Sequence, residues 1–210
     1  MSEWIARLEK WYAKKRKDVL AELAPPSTDA EIGKLATRTG VALPSAYVAM
    51  LKWHNGSKPD TYSGFQFNRQ LMSVADALEA MTIMDELVDA GEFEHEHWWN
   101  KRWVPFLSNG GGDYVCVDLA GSFGGKQGQI LEFWHDDEDR TIAYPDFDSW
   151  LRCFVEGLEA NMYRDDDGDL HVKNDEKWDA LCAKICPGYP KRFDANGKPV
   201  ADDEDDEDDD

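Results

Sequence analysis

Residues 103–119 read WVPFLSNGGGDYVCVDL, and the fold turns on what the three glycines in their middle do. A glycine loop that cradles phosphate opens directly into a helix, whose dipole and free N–H groups hold the anion, and it usually carries a following Lys with Ser or Thr. Here a strand pattern follows instead: Tyr114, Cys116 and Asp118 alternate with Val115, Val117 and Leu119. The stretch reads as strand, turn, strand over 103–107 and 114–118, with Gly110, Gly111 and Gly112 supplying the positive φ of a hairpin loop. Asp113 and Asp118 make a poor acid–base dyad, because residues five apart on one strand point to opposite faces.

Working outward, 128–135 predicts a third strand, and the short spacing makes the sheet antiparallel and hairpin-rich. Upstream, Trp4, Leu8, Trp11, Val19, Leu20 and Leu23 recur with helical spacing over 3–23, with Lys14, Lys15, Arg16 and Lys17 on the polar side. Pro25 and Pro26 end that helix, and Thr28 with Glu31 forms a capping box for the next, which runs to about Gly40. Leu43-Pro44 opens a third helix that buries Tyr47, Met50 and Leu51 and takes Asn55-Gly56 as its C-cap. The alternation in 62–67 predicts a half-buried strand, and Ser73 with Asp76 opens a helix over 74–90 that stops at Gly91. Phe147, Trp150, Leu151, Phe154 and Leu158 mark another helix, 165–169 a turn, and 178–185 a short last helix before Pro187. The expected fold is a single α+β domain: an antiparallel or mixed twisted sheet with helices packed around it, over 1–193, followed by a flexible acidic tail at 194–210.

Charge bounds the function. Of 210 residues, 23 are basic and 43 acidic, a net charge of −20. The acidic run 202–210 supplies nine of those negative charges, so the body keeps 23 minus 34, or −11. An acidic body disfavours direct nucleic-acid binding and suits a basic protein partner steered electrostatically. Neither a signal peptide nor an apolar run of about 18 residues is present, so the expected location is cytoplasmic, with no membrane partner. The four cysteines lack metal-site spacing and read as free thiols. No oligomeric state follows from the sequence.

Three candidate chemistries have residues of the right type in this sequence. His95 and His97, beside Glu94 and Glu96, and the run His135-Asp136-Asp137 offer metal-ligand types, but flanking acidic residues favour a solvated surface. Asp165, Asp166, Asp167, Gly168 and Asp169 fail the calcium-loop signature: with Gly168 sixth, Tyr163 stands first and Asn174 twelfth, where Asp and Glu are required. No GxSxG or HExxH motif is present. The sequence therefore predicts no enzyme, no cofactor and no resident metal.

The order of segments resembles the SUKH superfamily, which includes the fungal Smi/Knr cell-wall assembly regulators and many bacterial immunity proteins. LPSAYVAMLKWHNG, LMSVADALEAMTIMDEL, WWNKRWVPFLSNGGGDYVCVDL, GGKQGQILEFWHDDEDRTIAY and FDSWLRCFVEGLEANMY carry the likeness, over about residues 4–172. It departs at Tyr144-Pro145-Asp146-Phe147, where the family commonly has Ser before the Phe of the closing helix. The resemblance implies an α+β domain without established catalysis, in which Leu43, Pro44, Asn55, Gly56, Trp103, Pro105, Gly112, Asp113 and Asp118 maintain the fold. It further implies an immunity protein that binds and neutralises a cognate toxin, often a nuclease, by non-covalent occlusion. The alternative is a regulatory or scaffold protein with endogenous partners. The expected contact surface is Glu94, Glu96, Trp98 and Trp99 with Asp136, Asp137, Glu138 and Asp139, where aromatic anchors stand beside charges.

Overall fold

The 103–119 stretch forms an antiparallel hairpin in the computed structural model, which describes residues 2–93 and 95–200. Strand β2 (Trp103–Ser108) pairs with β3 (Tyr114–Asp118), Trp103 opposite Asp118 and Ser108 opposite Tyr114. The register shifts between Pro105 and Leu107, a bulge that leaves Phe106 unpaired in this ladder, directly after the one residue of β2 that has no N–H. Strands β4 (Gln129–Phe133) and β5 (Arg140–Tyr144) continue the meander, and β1 (Gln70–Leu71) borders β2 on the other side. Strands β8 (Lys191–Phe193) and β9 (Pro199–Val200) complete an antiparallel sheet of seven strands in the order β1-β2-β3-β4-β5-β8-β9. A separate hairpin joins β6 (Tyr163–Asp166) to β7 (Asp169–Val172) through Asp167 and Gly168, with φ of 52° and 91°.

Seven helices pack with this sheet among the described residues: α1 (Glu3–Lys15), α2 (Lys17–Glu22), α3 (Asp29–Thr39), α4 (Ser45–Trp53), α5 (Val74–Ala90), α6 (Phe147–Glu159) and α7 (Asp175–Ile185). Both expected capping boxes form, Thr28 with Glu31 and Ser73 with Asp76, and α3 and α5 end on left-handed Gly40 and Gly91. Phe106 sits at the junction of sheet and helices, its ring centroid 6.1 Å from Tyr47 of α4 and 5.0 and 4.8 Å from Phe147 and Trp150 of α6. The other side of the sheet is covered by the 98–99 segment and Phe123: Trp99 meets Trp103, Tyr114 and Phe133 at 5.5, 6.4 and 5.3 Å. Coverage on both sides explains why Val115, Cys116, Val117 and Asp118 are all buried although their sequence alternates.

The structure departs from the sequence reading in four places. The single helix expected over 3–23 is two, broken at Arg16 (φ −142°, ψ 61°), whose guanidinium turns inward, donates to the carbonyls of Gly64 and Gly168, and pairs with Asp165 at 2.9 Å. Residues 62–67 form no strand: Phe67 has a positive φ of 54°, Gln66 and Arg69 close a turn, and only then does β1 begin. His54 caps α4, while Asn55 Oδ1 accepts from Val74 N at 2.9 Å and so serves the start of α5. Finally, 194–200 belong to the folded body: Asp194 accepts from the N–H groups of Asn196 and Lys198, and Phe193 pairs with Pro199. The rest of the expected tail, 201–210, lies outside the described residues.

Candidate partner-binding groove

The residues expected to maintain the fold sit at junctions between elements. Pro44 is the N-cap of α4, with Leu43 half-buried before it. Gly56 (φ 78°) runs so close to the start of α5 that a Cβ there would lie 2.3 Å from Ser73 N, so no side chain fits without moving the chain. Trp103 is buried and donates its indole N–H to Ser122 Oγ at 2.9 Å, and Pro105 is buried in β2. Gly112 takes φ 103°, letting the turn pass His135.

The two aspartates of the hairpin are loop anchors. Asp118, fully buried, accepts from Ala120 N, Gly121 N and Ser122 N and from Gln129 Nε2, at 2.8, 3.1, 2.7 and 2.7 Å. Asp113 Oδ1 accepts from His135 N at 3.0 Å and from His135 Nδ1 at 2.8 Å, and Oδ2 from Asn109 Nδ2 at 2.5 Å. Burial works to raise the Asp113 carboxyl, but the bonds from His135 and Asn109 outweigh it and hold the group below its ordinary value. The same bond raises the His135 imidazole, against a smaller opposing effect of burial.

Metal ligation finds little support in this geometry. His95 Nε2 turns to Glu138 Oε2 at 2.7 Å, whereas His97 packs against Phe123, so the two histidines do not converge. Among the described residues, Asp113, His135 and Asp136 are the group of three donors that comes close enough. Asp113 has spent both oxygens on N–H donors there, and a cation would have to break those bonds.

The expected contact segments do come together. Glu92, Phe93, His95 and Trp98 line one side of a cavity of about 650 Å³, and Asp136, Asp137 and Glu138 line the other. Phe93 and His95 lie nearly parallel to the Trp98 ring, at centroid distances of 5.4 and 6.3 Å and 11° each. Behind this wall Arg140 is fully buried, donating to the carbonyls of Trp98, Asp137 and Asp139, with its guanidinium 5.1 Å from the Trp98 ring and 4.6 Å from that of Phe133. Burial lowers Arg140 to about 10, and the nearby acidic loop only partly opposes that shift.

Three expected members, Trp99, Glu96 and Asp139, do not line this cavity. Trp99 is 5% exposed, packed on Trp103 and Phe133 with its indole N–H on Asp85 at 3.2 Å, so it belongs to the core and not to the contact surface. Glu94 lies outside the described residues, and Glu96 lines a smaller neighbouring hollow with Val88 and Phe93. Asp139 lies in the turn, where Asp137 Oδ1 accepts its N–H at 2.9 Å. Sequence reasoning missed Glu92, Phe93 and Arg140. The signal for Arg140 is its position directly after 136–139, where a lone cation follows four acids.

A model of the SMI1 / KNR4 family (SUKH-1) matches residues 26–153. The chain belongs to this family. That stretch runs from just before α3 into the middle of α6, so α1 and α2 and everything from β6 onward lie beyond it. Among curated proteins, the chain is similar to the cell wall assembly regulator SMI1 of Saccharomyces cerevisiae, 31% identical over 77 residues, 36% of this chain and 15% of that protein. It is also similar to the KNR4/SMI1 homolog 2 of Debaryomyces hansenii, 27% identical over 73 residues, 35% of this chain and 12% of that protein. The match thus spans less than a sixth of either fungal relative. No helix among the described residues is long and apolar enough to cross a membrane.

Proposed function

We propose that this SUKH-1 protein is an immunity protein, which binds a cognate toxin domain of basic surface and neutralises it by covering it, without covalent chemistry. The observation that carries the reading is the groove between Glu92, Phe93, His95 and Trp98 and the loop 136–138, where aromatic rings stand among four carboxylates that have no Lys or Arg within 4.0 Å among the described residues. Such a surface offers an apolar anchor with a charged rim, and its field speeds encounter with a cationic partner. A toxin acting on nucleic acid presents the complementary sign, since it must bind phosphates. The net charge of −20 adds to the steering.

Co-expression with the product of the neighbouring gene tests the reading: a toxic product, protected cells and a stable complex are expected, and toxicity undiminished at equal expression contradicts it. The name of the Saccharomyces relative favours a second reading, a non-catalytic regulator with endogenous partners. Under that reading the neighbouring gene encodes no toxin, and the retained partner is a housekeeping protein of the same cell.

A further inference from the structure

The groove is one-sided in its chemistry. Glu92, Asp136, Asp137 and Glu138 stand around it, and among the described residues only Glu138 has a basic side chain within 4.0 Å, the imidazole of His95. His135 lies near Asp136, but its Nδ1 is committed to Asp113. The apolar wall is a set of flat rings, Phe93 and His95 nearly parallel to Trp98. The loop 136–139 turns backbone carbonyls inward to satisfy Arg140, and the side chains of Asp136, Asp137 and Glu138 are exposed.

We propose that this groove is an arginine receptor: it takes the guanidinium of one arginine side chain projecting from a basic protein partner, with Asp136 and the Oε1 of Glu138, whose Oε2 meets His95, as its carboxylate acceptors and the Phe93–Trp98 stack as its wall. The proposal rests on the reading of this chain as a partner-binding protein and adds the chemistry of recognition. Guanidinium suits the site better than ammonium. It is planar and weakly hydrated, it lies along aromatic surfaces, and it offers paired N–H donors to a carboxylate, whereas the lysine head group is a compact, strongly hydrated point charge. The fold already contains the arrangement once, in the guanidinium of Arg140 held against the rings of Trp98 and Phe133. A cavity of about 650 Å³ has room for a side chain of this size.

The test is an NMR titration of the ¹⁵N-labelled full chain with the capped peptide Gly-Arg-Arg-Gly, its lysine analogue and its citrulline analogue, the last being neutral but nearly isosteric. The Trp98 indole signal is assigned by its loss in Trp98→Phe. The arginine peptide is expected to shift that indole and the amides of Asp136 and Glu138 saturably, with binding weakened on the order of tenfold by salt near 0.5 M. The lysine peptide is expected to bind about tenfold more weakly, the citrulline peptide not measurably, and Asp136→Asn with Glu138→Gln to cost at least roughly tenfold. Both replaced side chains are exposed, and an unchanged amide spectrum elsewhere establishes that this variant is folded. Shifts confined to 201–210, equal shifts with citrulline, or equal affinity for lysine overturn the proposal. Failure of the toxin to bind while the arginine peptide still fills the groove sinks the immunity reading alone. A toxin held equally well by the double variant sinks the arginine receptor alone.

Discussion

The β2–β3 turn and the groove a few residues beyond β4 are built from the same residue types, and they use them in opposite ways. At the turn, Asp113 has both oxygens occupied by His135 and Asn109, and Asp118 is ringed by three backbone N–H groups and Gln129. At the groove, Asp136 and Glu92 make no ion pair within 4.0 Å among the described residues, and the rings of Phe93, His95 and Trp98 stand partly open. A carboxylate whose lone pairs are filled holds the chain in place, and one whose lone pairs face water is available to a partner.

Asp118→Ala is the largest blow the comparison predicts. It strips four buried or half-buried donors of their acceptor at once, and urea denaturation should read a loss of about 3 kcal/mol. Arg140→Met comes next, at about 2 kcal/mol: it removes the donor that gathers the carbonyls of Trp98, Asp137 and Asp139. That variant should also loosen 136–139, which hydrogen exchange of those amides would report. Because Arg140 binds carbonyls and not carboxylates, a full-strength groove in Arg140→Met would break the link between the buried cation and the open loop.

Asp113→Asn is milder, about 1 kcal/mol, and sharpens the comparison through titration. With Asp113 present, His135 holds its proton above the ordinary value of 6.5, so its contribution is complete below pH 6.5 and is lost as pH rises through the folded value. Asp113 contributes above 3.8, and that contribution is lost as pH falls through its lower folded value. The turn is therefore tightest between these limits, and in Asp113→Asn the imidazole titration followed by NMR should fall back toward 6.5. The smallest expected effect on stability is that of Asp136→Asn with Glu138→Gln, within about 0.5 kcal/mol, since both side chains are exposed.

Local signals made most of the fold legible. Capping boxes, left-handed glycines, strand alternation and the helical spacing of apolar residues each act within a few residues, and they placed α3, α5, α6 and the β2–β3 hairpin. What failed depended on distant partners. Arg16 reads as one of four exposed cations until Gly64, Asp165 and Gly168 come into reach, and that inward turn is what splits the first helix. β8 and β9 are too short to show a period, and only the open edge of β5 gives them a place. For the groove, the two contributing segments were visible as acidic and aromatic clusters. Their meeting was not, nor was the sorting of two adjacent tryptophans, Trp98 to the groove and Trp99 to the core.

Titration calorimetry of the capped peptide Gly-Arg-Arg-Gly against the native protein and against Asp136→Asn with Glu138→Gln tests the central claim most directly. The account predicts a one-to-one complex with the native protein, weakened by at least about tenfold in the variant at unchanged thermal stability. Equal affinity for both proteins would contradict it and place recognition on another face of the molecule.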